Sequence, residues 1–406
     1  MKISIIDVQK KGENESLNTW FDFKKNRFFC PSLSAPILAS KLSDYELEFI
    51  DQKVDRKDVL CDLALISFKT NAIYEAKQLA CQLQDRGIDV LVGGMHVSLE
   101  YKDFLHLSSS IFIGEAEDTI TQWHNDWLNK TAKKTYKAAK LVDLKAQCIP
   151  RFDILDSSKY AFHSIQTSRG CSIGCDFCPT KIFFGGVFRT KTITQVIDEI
   201  ECVLRIEKKP ILFTDDIFGA GDRDFIKTLL SIFKTMNFPY MIISDFEVLD
   251  NVLIDEFAAS GCIAICLNMP GTCTNKEKSM VNYIQSVGID IWGYFMFGFE
   301  EQDKTVFNRV IDFVNETEMK ATSLTVLSPF PNTPLSLKLN KEDRIVMDNY
   351  SLYDQTHAVH IPAKMKYTDL LDGYNFVKVE LNKRNGFHNY SQELYKKLNE
   401  KWNIRM

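Results

Sequence analysis

The chain alternates short apolar runs with amphipathic stretches up to about residue 330, and this alternation limits the possible folds more than any other feature. In the first part, a helix is predicted over 71–86, and strands are predicted over 2–7, 46–51, 62–67, 88–93 and 111–114. Such alternation is typical of a parallel sheet with helices on both faces. Ligands of these sheets bind where strands end, so functional residues are expected in the following loops.

The alternation breaks and then resumes. Residues 131–160 are rich in Lys and Ala and contain Pro150, which indicates a linker between a first domain over 1–130 and a second over 161–330. The second domain has six predicted β/α repeats, with strands over 163–168, 211–215, 240–245, 263–267, 289–297 and 323–327. Six repeats are two short of a closed eight-stranded barrel. We therefore expect either a partial barrel, open on one side, or a doubly wound sheet.

The last segment, 331–406, is less regular and contains one predicted helix over 365–385. We expect this C-terminal extension to cover the open barrel. The fold class predicted for the whole chain is α/β, with a Rossmann-like parallel sheet, a six-repeat domain and a helical tail.

Composition and charge exclude several classes of protein. Hydrophobic residues make up 45% of the chain and charged residues 25%, which is ordinary globular usage. The net charge is −5, so the chain lacks the overall field of a nucleic-acid binder. The N-terminal sequence MKISIIDVQKK lacks the apolar core of a signal peptide, and no window is apolar enough to span a membrane. We expect a cytoplasmic protein without a nucleic-acid partner.

Three of the eleven cysteines lie within eight residues, directly after the first strand of the second domain. Cys171, Cys175 and Cys178 have the spacing C-x3-C-x2-C, and thiolates on one loop suit an iron–sulfur cluster. Three ligands on a four-iron cluster leave one iron open to an exogenous molecule. Zinc and unligated structural thiols are the alternatives, but zinc usually takes four ligands, and His163 is badly placed as the fourth. These cysteines are the predicted metal ligands.

A second group, Cys262, Cys266 and Cys273, has the spacing C-x3-C-x6-C and could hold another cluster. Its first two members fall within an apolar strand pattern, where cysteine behaves as a small hydrophobic residue. We expect these cysteines to belong to the core.

The segment CSIGCDFC, at the end of the first strand of a six-repeat domain, resembles the signature of the radical SAM superfamily. Its members bind a [4Fe–4S] cluster through three cysteines, and the open iron chelates S-adenosylmethionine (SAM). Reductive cleavage of SAM then gives a 5′-deoxyadenosyl radical. The resemblance implies a [4Fe–4S] cluster and SAM as cofactors, and an electron donor such as flavodoxin or ferredoxin as a partner.

The resemblance also implies contacts with the adenine and the methionine ammonium of SAM. Phe177, before the last cysteine, would contact the adenine side. Gly298 belongs to the stretch GYFMFGFE, which is similar to the family segment that approaches adenine. Asp215 or Asp216 would accept hydrogen bonds from the ammonium, although the glycines of the family's GGE-like stretch are absent here.

Two further SAM contacts follow from the same resemblance. Asn268, in the fourth-strand region, would contact the ribose and the carboxylate. Arg189 is placed like a basic residue near the SAM carboxylate. A surface charge is the alternative for Arg189.

The first domain resembles the cobalamin-binding-type domain that precedes the barrel in one large radical SAM class. The likeness covers roughly 30–330 and includes the stretch VLVGGMHVS, in which Gly93 and Gly94 would leave room for the flat corrin. Ser67 and Thr70 would meet the nucleotide tail. The chain has no Asp-x-His-x-x-Gly sequence, and His96 is expected to be an ordinary loop histidine, not a cobalt ligand. A fold that has lost cobalamin is an equal alternative.

The resemblance implies a cobalamin-dependent methyltransferase that acts on an unactivated carbon of a small molecule or peptide. A cobalamin-free radical SAM enzyme with a vestigial N-terminal domain is the alternative, with cyclisation, rearrangement or epimerisation as its reaction. A non-catalytic iron–sulfur sensor or scaffold is the alternative of another class. The sequence identifies neither the substrate nor the oligomeric state.

Overall fold

A computed structural model describes residues 1–11, 29–54, 57–269, 271–383 and 386–404. Its first part is a six-stranded parallel sheet with the strand order β2-β1-β3-β4-β5-β6. The strands are β1 (Lys2–Val8), β2 (Glu46–Asp51), β3 (Leu63–Phe68), β4 (Asp89–Gly93), β5 (Ser110–Ile113) and β6 (Thr135–Lys137).

Helices cover both faces of this sheet, as the sequence predicts. They are α1 (Ser34–Lys41), α2 (Ile73–Asp85), α3 (Met95–Leu99) and α4 (Glu117–Leu128). Side chains alternate between the faces of a strand. Ile3 and Ile5 of β1 therefore pack into the cluster formed with α1 and α4, whereas Ile6 and Val8 pack into the cluster formed with α2 and α3.

Strand β6 lies inside the segment that the sequence analysis interprets as a linker. Tyr136 is buried at its centre and stacks on Phe112 of β5, with ring centroids 5.5 Å apart. The neighbouring Lys137 is exposed. One buried aromatic residue is thus enough to extend the sheet within a lysine-rich segment, and the first sheet reaches residue 137.

The second large sheet has the order β14-β13-β12-β11-β10-β7, so each strand lies beside its predecessor in this sheet. Its strands are β7 (His163–Ile165), β10 (Ile211–Phe213), β11 (Tyr240–Ser244), β12 (Cys262–Met269), β13 (Asp290–Phe297) and β14 (Ala321–Val326). This sequential parallel order is that of a partial barrel, one of the two predicted solutions. Two short strands, β8 (Ser168–Arg169) and β9 (Arg189–Thr190), form a separate antiparallel pair.

Helices follow the strands of the second sheet and continue into the C-terminal extension. They are α5 (Thr180–Phe183), α6 (Ile193–Ile206), α7 (Arg223–Met236), α8 (Asn251–Ser260), α9 (Asn275–Ser286), α10 (Thr305–Glu316), α11 (Pro334–Lys341), α12 (Tyr367–Asn382) and α13 (Gly386–Trp402). Leu394 and Leu398 of α13 pack in one cluster with Met241, Ala264 and Trp292 of the sheet. The extension thus covers one face of the second sheet. Within the described ranges, no helix is long and apolar enough to cross a membrane.

Candidate functional site

The three clustered cysteines lie on the loop between β8 and β9. Their thiols are free and partly exposed. Burial, together with the neighbouring Cys178 and Cys171, raises the pKa of the Cys175 thiol to about 11. Among the described residues, no three potential ligands converge closely enough to hold a single metal ion. A cluster offers each thiolate a different iron, so this donor set of three thiols on one loop fits a cluster better than a single ion.

Asp215 and Asp216 hold the start of this loop. The Asp215 carboxylate accepts hydrogen bonds from the Thr167 amide (3.1 Å), the Thr167 hydroxyl (2.7 Å) and the Ser168 hydroxyl. Asp216 accepts a hydrogen bond from the Gly170 amide at 2.9 Å. Asp215 is fully buried. The Asp215 oxygens are thus enclosed and hold the loop, whereas Asp216 is only partly buried. That Asp215 or Asp216 accepts hydrogen bonds from the SAM ammonium stays a prediction.

Arg189 also has a partner that the sequence analysis does not predict. Its guanidinium donates to Glu115 at 2.9 and 3.2 Å and to the Val142 carbonyl at 2.6 Å. These contacts engage Arg189 with the first domain, whereas the resemblance implies a contact with the SAM carboxylate. The neighbouring Arg169 contacts the same carboxylate, with Nη1 2.7 Å from Glu115 Oε1.

Phe177 lies against the segment that contains Gly298, and both are predicted to contact the adenine of SAM. The Phe177 ring packs edge-on against Phe299, with centroids 5.3 Å apart. The Gly298 carbonyl lies 2.9 Å from Nε2 of His360, a fully buried residue of the C-terminal extension. Sequence reasoning missed His360, because its contact with Gly298 spans 62 residues and no local pattern indicates it.

Asn268 lies at the exposed end of β12, and its amide nitrogen is 3.4 Å from the Asp245 carboxylate. Tyr294 is its register partner on β13. The Asp245 charge contributes to the raised pKa of Cys175, after burial and the two neighbouring thiols, so Asp245 lies near the cysteine loop. Asp245 was not among the predicted site residues. Its position directly after the buried strand β11 is the signal that could have indicated it.

A cavity of about 210 Å³, open to solvent, lies between the first domain and the cysteine loop. Apolar side chains, Phe183 and Phe184 among them, form most of its lining. Glycines and polar residues also line it, including Ser67, Gly93, Gly94, Gly114, Glu115, Glu117, Gln166 and Arg169. Three of the four predicted cobalamin contacts, Ser67, Gly93 and Gly94, thus meet at one cavity. Its mainly apolar lining, with two glycines at a strand end, suits the face of a flat, mainly apolar ligand.

Thr70 does not line this cavity. Its hydroxyl lies 3.1 Å from Nδ1 of His96, and both side chains are buried. Burial lowers the pKa of His96 to about 4, so its imidazole is neutral near pH 7. His96 lies within α3, whereas the sequence analysis expected it in a loop, and neither His96 nor Thr70 is among the residues that line the cavity.

Known proteins resemble this chain in sequence and in fold. No protein-family profile matches the chain. Bacteriochlorophyllide d C-12(1)-methyltransferase of Chlorobaculum tepidum is 26% identical over 84% of this chain and 79% of its own length. Hopanoid C-2 methylase of Rhodopseudomonas palustris is 23% identical over 79% of this chain and 66% of its own length.

The fold is similar to that of TsrM from Kitasatospora setae, a radical S-adenosylmethionine methyltransferase solved with cobalamin and a [4Fe–4S] cluster bound. The TM-score is 0.66 at 14% identity, over 84% of this chain and 75% of that chain. TsrM has also been solved with tryptophan substrate and a SAM analogue. This likeness shows a shared fold, and the relatives named above are a methyltransferase and a methylase.

Proposed function

We propose that the protein is a radical SAM methyltransferase that uses cobalamin to methylate an unactivated carbon of a small molecule. The observation that carries this proposal is the position of the cavity, which is bounded by Gly93 and Gly94 on one side and by Arg169, two residues before Cys171, on the other. Relatives named as methyltransferases support the reaction type. The two relatives are named for different compounds, a bacteriochlorophyllide and a hopanoid, so the substrate stays open.

The residues present fit the cofactors. Cys171, Cys175 and Cys178 would hold the cluster, and the cavity with Ser67, Gly93 and Gly94 would hold cobalamin. When bound, the cluster supplies the electron that cleaves SAM, and cobalamin supplies the methyl group. An external one-electron donor, such as flavodoxin or ferredoxin, would reduce the cluster.

The chain's own residues would hold the cysteine loop, offer polar groups to SAM and line the cavity. Asp216 holds the Gly170 amide and thereby fixes the start of the cysteine loop. The Asp245 and Asn268 side chains, 3.4 Å apart near that loop, offer a carboxylate and an amide to the polar groups of SAM. The Phe177 and Phe299 rings form an apolar contact that suits the adenine side. With a ligand seated in the cavity, the apolar side chains around it would limit access of water to the reacting groups.

The test is anaerobic production of the full chain with and without supplied cobalamin. The proposal expects cobalamin and iron to co-purify with the protein. With SAM and a reductant it also expects 5′-deoxyadenosine, and it expects S-adenosylhomocysteine only when cobalamin is present. Formation of 5′-deoxyadenosine by protein that binds no cobalamin under saturating supply would support a cobalamin-free radical enzyme. Iron without any SAM cleavage would support a sensor or scaffold.

A further inference from the structure

The cysteine loop is closed at its base by two arginines that face each other. Arg169 of β8 and Arg189 of β9 are directly opposed in the antiparallel pair, and residues 170–188 between them carry all three cysteines. Their side chains are only 8% and 15% exposed. Like charges opposite each other on antiparallel strands repel, and burial strengthens this repulsion. The base of the loop therefore needs a compensating negative charge.

Glu115 supplies that charge from the first domain. Its carboxylate accepts hydrogen bonds from Arg169 Nη1 at 2.7 Å and from Arg189 Nη1 at 2.9 Å. The Val142 amide donates to it at 3.1 Å. The Glu115 side chain is 2% exposed, so this contact is shielded from water and salt.

Glu117 completes the network by pairing with Arg169 at 2.6 Å. Arg169 therefore has two buried carboxylate partners, Glu115 and Glu117. Both glutamates lie in the turn after β5 or at the start of α4, and both line the cavity. One turn of the first domain thus borders the cavity and neutralises the base of the cysteine loop.

We propose that Glu115 is a positioning residue for the cysteine loop. Its carboxylate closes the base of the loop and fixes the loop against the cavity, so that the three cysteines and a ligand in the cavity keep one relative position. This inference rests on the proposed function, because it takes the loop to hold the cluster. It goes further by assigning to the first domain a role in cluster retention.

The test compares Glu115→Gln with Glu199→Gln in the full chain with its reconstituted cluster. Glu199 is a matched control, because it is also a buried carboxylate (3% exposed) and pairs with Lys191, which follows β9, at 2.5 Å. Glu115→Gln leaves Arg189 without a carboxylate partner, and Glu199→Gln does the same to Lys191, so both variants should unfold at a lower temperature. Only Glu115→Gln should speed iron release to a chelator, by about tenfold or more. Only this variant should broaden the electron paramagnetic resonance signal of the reduced cluster.

A second variant separates loop positioning from general destabilisation. Glu115→Gln combined with Arg189→Gln removes the repulsion as well as the carboxylate, and iron release should slow again towards the wild-type rate. Equal iron release and equal spectra for Glu115→Gln and Glu199→Gln would overturn the inference alone. A wild-type chain that binds no cluster would overturn the proposed function, and the inference with it.

Discussion

Arg169 and Glu115 join the two halves of the molecule through a buried ion pair, with Nη1 and Oε1 2.7 Å apart. Arg169 lies two residues before Cys171, and Glu115 borders the cavity of the first domain. Glu115 also pairs with Arg189, whereas Arg169 has a second partner in Glu117. Removing Glu115 would leave Arg189 without a carboxylate, and removing one partner of a buried pair costs about 3–5 kcal/mol. The relative position of the cavity and the cysteine loop is therefore specified energetically.

The first prediction concerns the metal ligands. Changing Cys171, Cys175 or Cys178 to Ala should abolish the visible absorbance of the iron–sulfur cluster or leave a defective cluster, since each thiolate holds a different iron. Cys266→Ala is the control, because Cys266 is buried within β12 and should contribute packing energy alone. Iron and sulfide analysis of the anaerobically reconstituted proteins measures the effect. A triple-Ala protein that keeps a full, SAM-responsive cluster would contradict the assignment.

The second prediction concerns the backbone of the cysteine loop. Gly170 has φ +91°, and a Cβ there would lie 2.1 Å from the Val187 carbonyl oxygen. Gly174 has φ +71°, but its Cβ would meet nothing closer than 3.9 Å. Both Ala variants carry strain of about 1–2 kcal/mol, but only Gly170→Ala must move the opposite backbone. We expect Gly170→Ala to lose most of its iron and Gly174→Ala to retain it. Equal iron contents would show that the close approach is unimportant.

The third prediction is a pH dependence of stability at Glu300, which follows Phe299. Hydrogen bonds from Arg344 are the main cause that lowers the pKa of this carboxyl from 4.5 to about 2. Burial raises this pKa, and a hydrogen bond from Lys338 lowers it. A lowered folded-state pKa adds stability above pH 4.5, which is lost as the pH falls towards 2. Glu300→Gln should remove this pH-dependent part, about 1 kcal/mol. Glu342→Gln, an exposed partner of the same arginine, should keep the wild-type profile in denaturant titrations.

The second sheet could be predicted from the sequence because its strands are apolar runs separated by helical patterns. Each of its six observed strands overlaps a predicted one, and the number of repeats left a partial barrel and a doubly wound sheet as the two solutions. Strand β6 was missed because the segment around it is rich in lysine and alanine, and one buried residue, Tyr136, decides its place.

The candidate site was harder to predict, because a side chain's partner depends on tertiary docking. Arg189 pairs with Glu115, 74 residues away, and no local pattern indicates that contact. Asp215 was correctly placed at a strand end. The sequence does not reveal that Thr167 and Ser168 turn back onto its carboxylate. The cysteines were identifiable because their spacing alone carries the chemistry.

The last prediction tests cobalamin binding through the cavity. Gly94 is a poor probe, because its φ is +97° and an added Cβ would lie 2.7 Å from the Ser67 hydroxyl, so any side chain would disturb the strand end itself. Gly114 also lines the cavity and has φ +84°, and a Cβ added there would meet no atom within 4 Å beyond its chain neighbours. Gly288 offers a matched control, with φ +87° and equally open space, and it is not among the residues that line the cavity.

Asparagine tolerates this backbone region, so Gly114→Asn and Gly288→Asn should lose similar stability, about 1 kcal/mol or less. Only Gly114→Asn places a side chain in the cavity. Equilibrium dialysis with hydroxocobalamin should therefore show at least about tenfold weaker binding for Gly114→Asn and unchanged binding for Gly288→Asn. Iron content and thermal unfolding, measured on the same preparations, should stay alike in the two variants. Unchanged cobalamin affinity in Gly114→Asn would place the cofactor outside this cavity, and a wild-type chain that binds no cobalamin would defeat the methyltransferase proposal.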